Sequence, residues 1–180
     1  MTASHPDRPS LRRELLAARR GFAASPAFQT AQAAITLGLH ELLAQLEPEL
    51  LGVYWPLPGE FDPGPVPFAR ALPFARREPA EMVYRRWDGG VPAAQDECGI
   101  ASSTGAVVVP DVVLVPCVGF TREGFRLGYG GGYFDRWLAE HPGVTTIGLA
   151  WSAAETHFPV EAHDRALTLI LTERELLTPE

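Results

Sequence analysis

The spacing of apolar and polar positions changes several times along the chain. Residues 1–9 are polar and predict a loose, flexible lead-in. Leu11, Leu15, Leu16 and Phe22 then recur at near-helical spacing, with Arg12, Arg13, Arg19 and Arg20 on other faces. That pattern predicts a first helix. Ser25-Pro26 is an N-cap and first-turn pair. A second helix is expected from there to about Leu46, with Phe28, Ala31, Ile35, Leu39, Leu42, Leu43 and Leu46 on one stripe. Pro48 limits it.

Beyond Pro48 the pattern turns to short apolar runs. Leu50 to Trp55 reads as a buried strand stopped by Pro56. Residues 65–71 predict a short helix, and Met82 to Trp87 alternates as a strand. The stretch 88–106 reads mostly as loop. Val107–Val109 and Val112–Val115 form one apolar run broken by Pro110-Asp111, and the main strand is expected at 112–115. A glycine run and a helix around 131–140 follow, and Thr145–Ala150 and Leu167–Leu171 read as further buried strands. Short apolar strands separated by helices favour the α/β class with a mainly parallel sheet. With no internal repeat and no linker, one domain over 1–180 is expected, long enough for a sizeable core.

Composition removes several functions. A net charge of −7 argues against a general nucleic-acid surface. No apolar run approaches the roughly 20 residues that cross a bilayer, and the N-terminus lacks a signal-peptide pattern. Cys98 and Cys117 are isolated, which suits a reducing cytoplasm better than a disulfide scaffold. All 15 basic residues are arginine. Any phosphate site must therefore use arginine, backbone N–H groups or a metal, because the P-loop lysine has no counterpart here.

The candidate chemistry lies in residues 119–136. Gly128, Gly130, Gly131 and Gly132 are interleaved with Tyr129 and Tyr133, after Arg126 and before Asp135. So many glycines in one loop cost chain entropy, and they suit backbone that must curl closely around a ligand. The order strand, loop, glycine run, helix puts the run beyond a strand's carboxyl end and at a helix N-terminus, where anions are favoured. It is not a dinucleotide fingerprint, because the last glycine of that template would fall on Tyr133. It is not a P-loop, because no Gly-Lys-Ser/Thr occurs. A turn serving only tight packing is the alternative.

Arg126-Leu-Gly-Tyr-Gly-Gly-Gly-Tyr-Phe-Asp-Arg136 resembles the signature of the 5-formyltetrahydrofolate cyclo-ligase family, F-D-x-x-G-x-R-L-G-x-G-x-G-Y-Y-D. It matches at Phe120, Gly124, Arg126, Leu127, Gly128, Gly130, Gly132, Tyr133 and Asp135. Weaker matches run in family order through Leu11-Arg12, Tyr54 with Pro56 and Glu60, Leu72-Pro73, Pro110-Asp111 to Val115-Pro116, Gly148-Leu149 and His163-Asp164. The resemblance implies a three-layer α/β/α domain of the NagB/RpiA/CoA-transferase-like kind. It implies ATP- and Mg2+-dependent closure of 5-formyltetrahydrofolate to 5,10-methenyltetrahydrofolate, with ADP and phosphate released. The expected partners are the reduced folate and ATP, with no nucleic acid and no membrane, and a monomer is expected.

By the same resemblance, Arg126, Leu127, Gly128, Tyr129, Gly130, Gly131, Gly132, Tyr133 and Phe134 would hold ATP phosphates, together with Arg8 and Arg12. Arg126 and Tyr133 are the catalytic candidates. Trp55, Glu60, Tyr129, Tyr133 and Gly130 to Gly132 would meet the folate, and Asp135 and Asp164 would hold magnesium. Each has a plainer alternative: Asp135 as a first-turn helix acid, Asp164 as a loop cap, Glu60 as a solvated loop acid, Trp55 as core and Arg12 as a solvated helix face. The chain departs from the family where Arg8 stands for a lysine, Ser103 for a proline, Thr121 for an aspartate and Phe134 for a tyrosine. Two other functions fit the same residues: ATP-dependent activation of a different formyl or carboxylate substrate, or a folate- or nucleotide-binding relative without turnover.

Overall fold

A computed structural model of the chain describes residues 7–179. Helix α1 spans Arg8–Ala23, and its first turn is capped by Asp7, whose carboxylate accepts from Ser10 N–H at 2.7 Å. The loose lead-in expected over 1–9 therefore does not extend to residues 7–9, and residues 1–6 lie outside the described residues. Helix α2 spans Ala27–Leu46. Ser25 is not its cap, since its hydroxyl turns back to donate to Phe22 O at 2.7 Å. The chain leaves α2 through Glu47 at φ 47°, just before Pro48.

Twelve strands follow the two helices, interrupted by one more helix. They are β1 Leu51–Gly52, β2 Arg70–Arg77, β3 Ala80–Trp87, β4 Ala94–Gln95, β5 Ala101–Ser102, β6 Val107–Val108, β7 Val112–Pro116, β8 Gly119–Phe120, β9 Arg126–Leu127, β10 Thr145–Leu149, β11 Leu169–Leu171 and β12 Leu176–Leu177. Helix α3, Tyr133–Glu140, lies between β9 and β10. The main sheet has the order β12-β11-β10-β7-β1-β2-β3-β6. Its five central strands, β11 to β2, pair in parallel, and antiparallel strands flank them. The main strand expected at 112–115 is β7, at the centre of the sheet.

Strand alternation assigns the two faces. Val112 and Leu114 of β7 join Ile147, Leu149 and the α2 stripe of Ala31, Ile35, Leu39, Leu42 and Leu43 in one core. Val113 and Val115 face the opposite way, toward Tyr84, Ile170 and Trp137 and Leu138 of α3. Helices thus cover both faces of the sheet, giving three layers. Burial of Ile35 and Leu39, both fully enclosed, contributes about 1.5–3 kcal/mol each.

The short helix expected at 65–71 is absent. Pro63, Pro65 and Pro67 hold that segment extended by fixing φ and disfavouring helical geometry in the preceding residues. Residues 70–77 form β2 instead, with Pro73 inside it. The β1 ladder on β2 runs only to Ala71, so Pro73 breaks no pairing there.

Candidate functional site

The parallel strands place one end of the sheet at the site. β1 leads into Tyr54 and Trp55, and β7 ends at Pro116. To one side of the β1/β7 pair the sheet continues through β2, and to the other through β10. This is the point where connections diverge and ligands of open α/β sheets gather. A cleft of ≈ 460 Å³ opens there. The β8–β9 hairpin then delivers the glycine run to its wall and to the start of α3.

The run needs its glycines. Gly130 and Gly132 have φ of 99° and 67°, a region L-residues disfavour, and Gly132 ends the loop at the helix N-terminus. A Cβ at Gly128 would lie 2.5 Å from Arg126 Nη1.

Three arginines line the cleft, each already engaged. Arg12, from α1, donates Nε to Gly128 O at 2.7 Å. Arg126 is buried, sits 5.1 Å above the Phe134 ring and reaches Asp135 at 3.4 Å. Phe134 thus replaces the family tyrosine with a face for a guanidinium. Arg8 grips Asp164 with both terminal nitrogens, one at 3.1 Å, and donates to Pro159 O at 2.8 Å. The Nε of Arg126 is buried with no hydrogen-bond acceptor among the described residues, and that of Arg8 faces Glu161 Oε1 at 3.5 Å without a hydrogen bond.

Two carboxylates face these arginines. Burial pushes Asp164 up, but the Arg8 hydrogen bond, the Glu161 N–H and the Arg8 and His163 charges outweigh it and hold it below the ordinary value. Asp164 also closes its own turn, accepting from Glu161 N–H at 2.7 Å, so the capping alternative and the cleft position hold together. Asp135 is in the first turn of α3 and lines the cleft as well. Among the described residues, no group of three or more His, Cys, Asp or Glu side chains is arranged to hold a metal. Mg2+ is commonly held by one or two carboxylates with phosphates and water, the donor set that Asp135 and Asp164 would offer.

The far wall carries the other chemistry. Glu60 is 8% exposed, so it is not a solvated loop acid. Burial raises its pKa, opposed by the Tyr129 hydroxyl, the Leu57 N–H and Arg19. Tyr129 donates to Glu60 Oε1 at 2.5 Å, and Leu57 N–H donates to Oε2 at 2.8 Å. Trp55 is 38% exposed and meets Trp87 edge-on at 6.2 Å, so it is a cleft wall and not core. Tyr133 accepts from the Cys98 thiol at 3.5 Å and lies under Arg136 at 5.1 Å. The Cys98 hydrogen bond, then burial, raises the Tyr133 pKa.

The cleft therefore gathers Arg8, Arg12, Trp55, Glu60, Arg126, Gly128 to Asp135, and Asp164. Leu127 does not reach it; its side chain is fully buried with Leu11 and Phe158. Residues that sequence reasoning passed over also take part. Asp96 accepts from Cys98 and Ile100 N–H, each at 2.9 Å, and so fixes the loop carrying Cys98. Arg19 reaches Tyr129 and Glu60. Its signal was the spacing 8, 12, 19, which repeats along one side of α1.

The chain matches the 5-formyltetrahydrofolate cyclo-ligase family over residues 4–173. It is 38% identical over 64 residues to a 5-formyltetrahydrofolate cyclo-ligase of Mycoplasma pneumoniae, covering 35% of this chain and 39% of that one. It is 32% identical over 102 residues to the mouse (Mus musculus) protein of the same name, covering 53% and 49%. These matches span less than half of either relative's length. A solved 5,10-methenyltetrahydrofolate synthetase from Mycoplasma pneumoniae shares the fold at a TM-score of 0.75 and 22% identity, over 93% of this chain and 99% of that one. With the family match running through the glycine loop, both carboxylates and Glu60, the chain belongs to the 5-formyltetrahydrofolate cyclo-ligase family.

Proposed function

We propose that the protein uses ATP and Mg2+ to close 5-formyltetrahydrofolate into 5,10-methenyltetrahydrofolate, releasing ADP and phosphate. The observation that carries this reading is one cleft with two chemistries: arginines and a glycine loop on one wall, a buried carboxylate with tyrosines and Trp55 on the other.

The formyl oxygen takes the γ-phosphoryl group as ADP leaves, N10 of the folate attacks the formyl carbon and gives up its proton to solvent, and the oxygen departs with phosphate. Such a transfer needs charge neutralisation and alignment more than a protein nucleophile. Arg126, Arg12 and Arg8 supply planar donor forks to phosphate oxygens. Gly128 to Gly132 let the backbone approach, and α3 adds its N-terminal dipole. Glu60 accepts the paired N–H groups of a pterin. Tyr129 and Tyr133 border both ligands. Bound Mg2+, held by Asp135 and Asp164, would neutralise phosphate charge. Each of these carboxylates faces an arginine, so the same cleft offers guanidinium donors for phosphate and carboxylate oxygens that would hold Mg2+.

The small-molecule partners, the net charge of −7 and the two free thiols support a monomer acting in the reducing cytoplasm, without nucleic acid or membrane. The test is the absorbance of methenyltetrahydrofolate from purified protein, ATP, Mg2+ and 5-formyltetrahydrofolate. An ATP-dependent gain is expected; no gain at high enzyme concentration overturns the reading.

A further inference from the structure

Arg19 comes from the same side of α1 as Arg8 and Arg12, yet it points to the opposite wall of the cleft. Its side chain is only 9% exposed, whereas Arg13 and Arg20 on that helix are exposed. Nη2 donates to the Tyr129 hydroxyl at 2.5 Å, and Nη1 lies 3.6 Å from Glu60 Oε1. Tyr129 donates to that same Glu60 oxygen at 2.5 Å. Two positive ends therefore converge on Oε1, while the Leu57 N–H holds Oε2 at 2.8 Å.

The stem of Arg19 is fitted as closely as its head. It passes Gly59, where a Cβ would come 3.2 Å from Arg19 Cγ, and Gly59 has φ of 79°. Trp151 Nε1 fixes this turn from behind by donating to Gly59 O at 2.8 Å. The turn carrying Glu60 is thus clamped between α1 and Trp151.

We propose that Arg19 is a positioning residue for the pterin site: it sets a positive charge beside Glu60 Oε1 and, through Tyr129, ties that carboxylate to the glycine loop. This rests on reading Glu60 as the pterin-binding carboxylate. An anion accepts with both oxygens and can meet a pair of N–H donors; a protonated acid loses part of that capacity. Burial drives Glu60 toward the protonated form, opposed by the Tyr129 hydroxyl, the Leu57 N–H and then the Arg19 charge. The other titratable groups facing it are Tyr129 from the glycine loop, Tyr54 after β1 and Cys117 after β7. All three are pushed up, chiefly by burial, Cys117 to about 12, and are neutral near pH 7. Among the described residues, Arg19 is the one cation within 4 Å of Glu60.

The role stops at the pterin wall. Arg19 and Arg12 both touch the glycine loop, at Tyr129 and at Gly128 O respectively. Arg12 belongs to the phosphate wall and Arg19 to the pterin wall. Substitution of Arg19 should therefore change folate affinity and spare ATP affinity.

The experiment is a cycle of four proteins: wild type, Arg19→Met, Glu60→Gln and the double variant. Methionine retains an apolar stem along Gly59 and removes the charge. Affinities for 5-formyltetrahydrofolate and for ATP are measured by calorimetry between pH 6 and 8, with circular dichroism as the folding control. Arg19→Met should weaken folate binding roughly tenfold at pH 7.5, a typical coupling for contacting charges. ATP binding should change less than about twofold, the scale of uncoupled sites. The loss should grow toward pH 6, because removing the cation raises the Glu60 pKa and moves the acid limb of binding upward. In the Glu60→Gln background the same change should cost less than about twofold. An equal cost in both backgrounds, or a cost independent of pH, makes Arg19 a packing residue and overturns the proposal. If Arg19→Met does not fold, Arg19→Gln, which also removes the charge, is compared in the same cycle, with the same two outcomes decisive. If Glu60→Gln binds folate as the wild type does while the wild type turns over, the pterin reading of Glu60 fails and the proposal fails with it. Normal loss in Glu60→Gln with no effect of Arg19→Met overturns the proposal alone.

Discussion

Replacing Arg8 should cost the fold about 2–3 kcal/mol near neutral pH, and clearly less in acid. Asp164 is 4% exposed at its side chain and Arg8 is 14% exposed. Arg8 meets both carboxylate oxygens, donates to Pro159 O at 2.8 Å and lies 5.0 Å over the Phe158 ring. Arg8→Met keeps a stem against Phe158 and removes the charge. Asp164 is then left with the Glu161 N–H at 2.7 Å and His163 at 3.8 Å. An abandoned buried charge costs about 3–5 kcal/mol. The remaining N–H bond and the open edge of the cleft lower this to about 2–3 kcal/mol.

The pH dependence has a definite sign. Burial acts to raise Asp164, yet Arg8 and its other partners hold it below the ordinary carboxylate value. A depressed folded pKa stabilises the protein above the unfolded value of about 3.9, and this stability is lost as pH falls through the folded value. In Arg8→Met the burial acts with less opposition, so the variant's Asp164 takes up its proton at higher pH. The difference from wild type must shrink as pH falls below about 5. Urea unfolding at pH 7, 5 and 3 reads it directly. A difference under about 0.5 kcal/mol at pH 7, the scale of an inert surface change, would refute the buried-pair argument. So would a difference that is the same at pH 7 and pH 3.

Gly128→Ala places a Cβ 2.5 Å from Arg126 Nη1; displacing that guanidinium should raise the KM for ATP about tenfold or more with the fold retained, and an unchanged KM would show that Arg126 does not set phosphate position. Asp135→Asn retains the shape of the first turn of α3 but removes a carboxylate charge from the cleft. Turnover should fall roughly a hundredfold while the circular dichroism spectrum is unchanged, and near-wild-type turnover would remove Asp135 from the metal site.

The helical stripes and the apolar strands were legible because each is a local pattern. The α2 positions Ala31, Ile35, Leu39, Leu42 and Leu43 repeat at helical spacing and are all buried. The central strand Val112–Pro116 stands out because both its faces are covered. β2 was not legible. Pro73 argues against a strand, and only the shortness of the β1 ladder, a tertiary fact, makes it harmless. The three closely spaced prolines at 63, 65 and 67 were the local signal against the short helix expected at 65–71.

The site divides along the same line. Glycines declare themselves in sequence because a backbone at φ 99° or 67° admits almost nothing else. Arginines do not, because one side chain serves equally as a solvated helix face, an ion-pair partner or a ligand donor. Arg8, Arg12, Arg13, Arg19 and Arg20 all lie on α1. Their fates differ by what the rest of the fold brings to each: Asp164 to Arg8, Gly128 O to Arg12, and Glu60 with Tyr129 to Arg19. Arg13 stays local and, among the described residues, reaches Ser10 at 2.8 Å. Those partners are distant in sequence, up to 156 positions away from Arg8, and no periodicity along α1 encodes them. The helix phase narrows the choice, since positions 8, 12 and 19 share one side. The partners then decide that Arg8 and Arg12 turn to Asp164 and the glycine loop and that Arg19 turns to Glu60 and Tyr129. In a chain without lysine, the proposed function would have a single helix face serve both walls of the cleft, Arg8 and Arg12 toward phosphate and Arg19 by holding Glu60 and Tyr129.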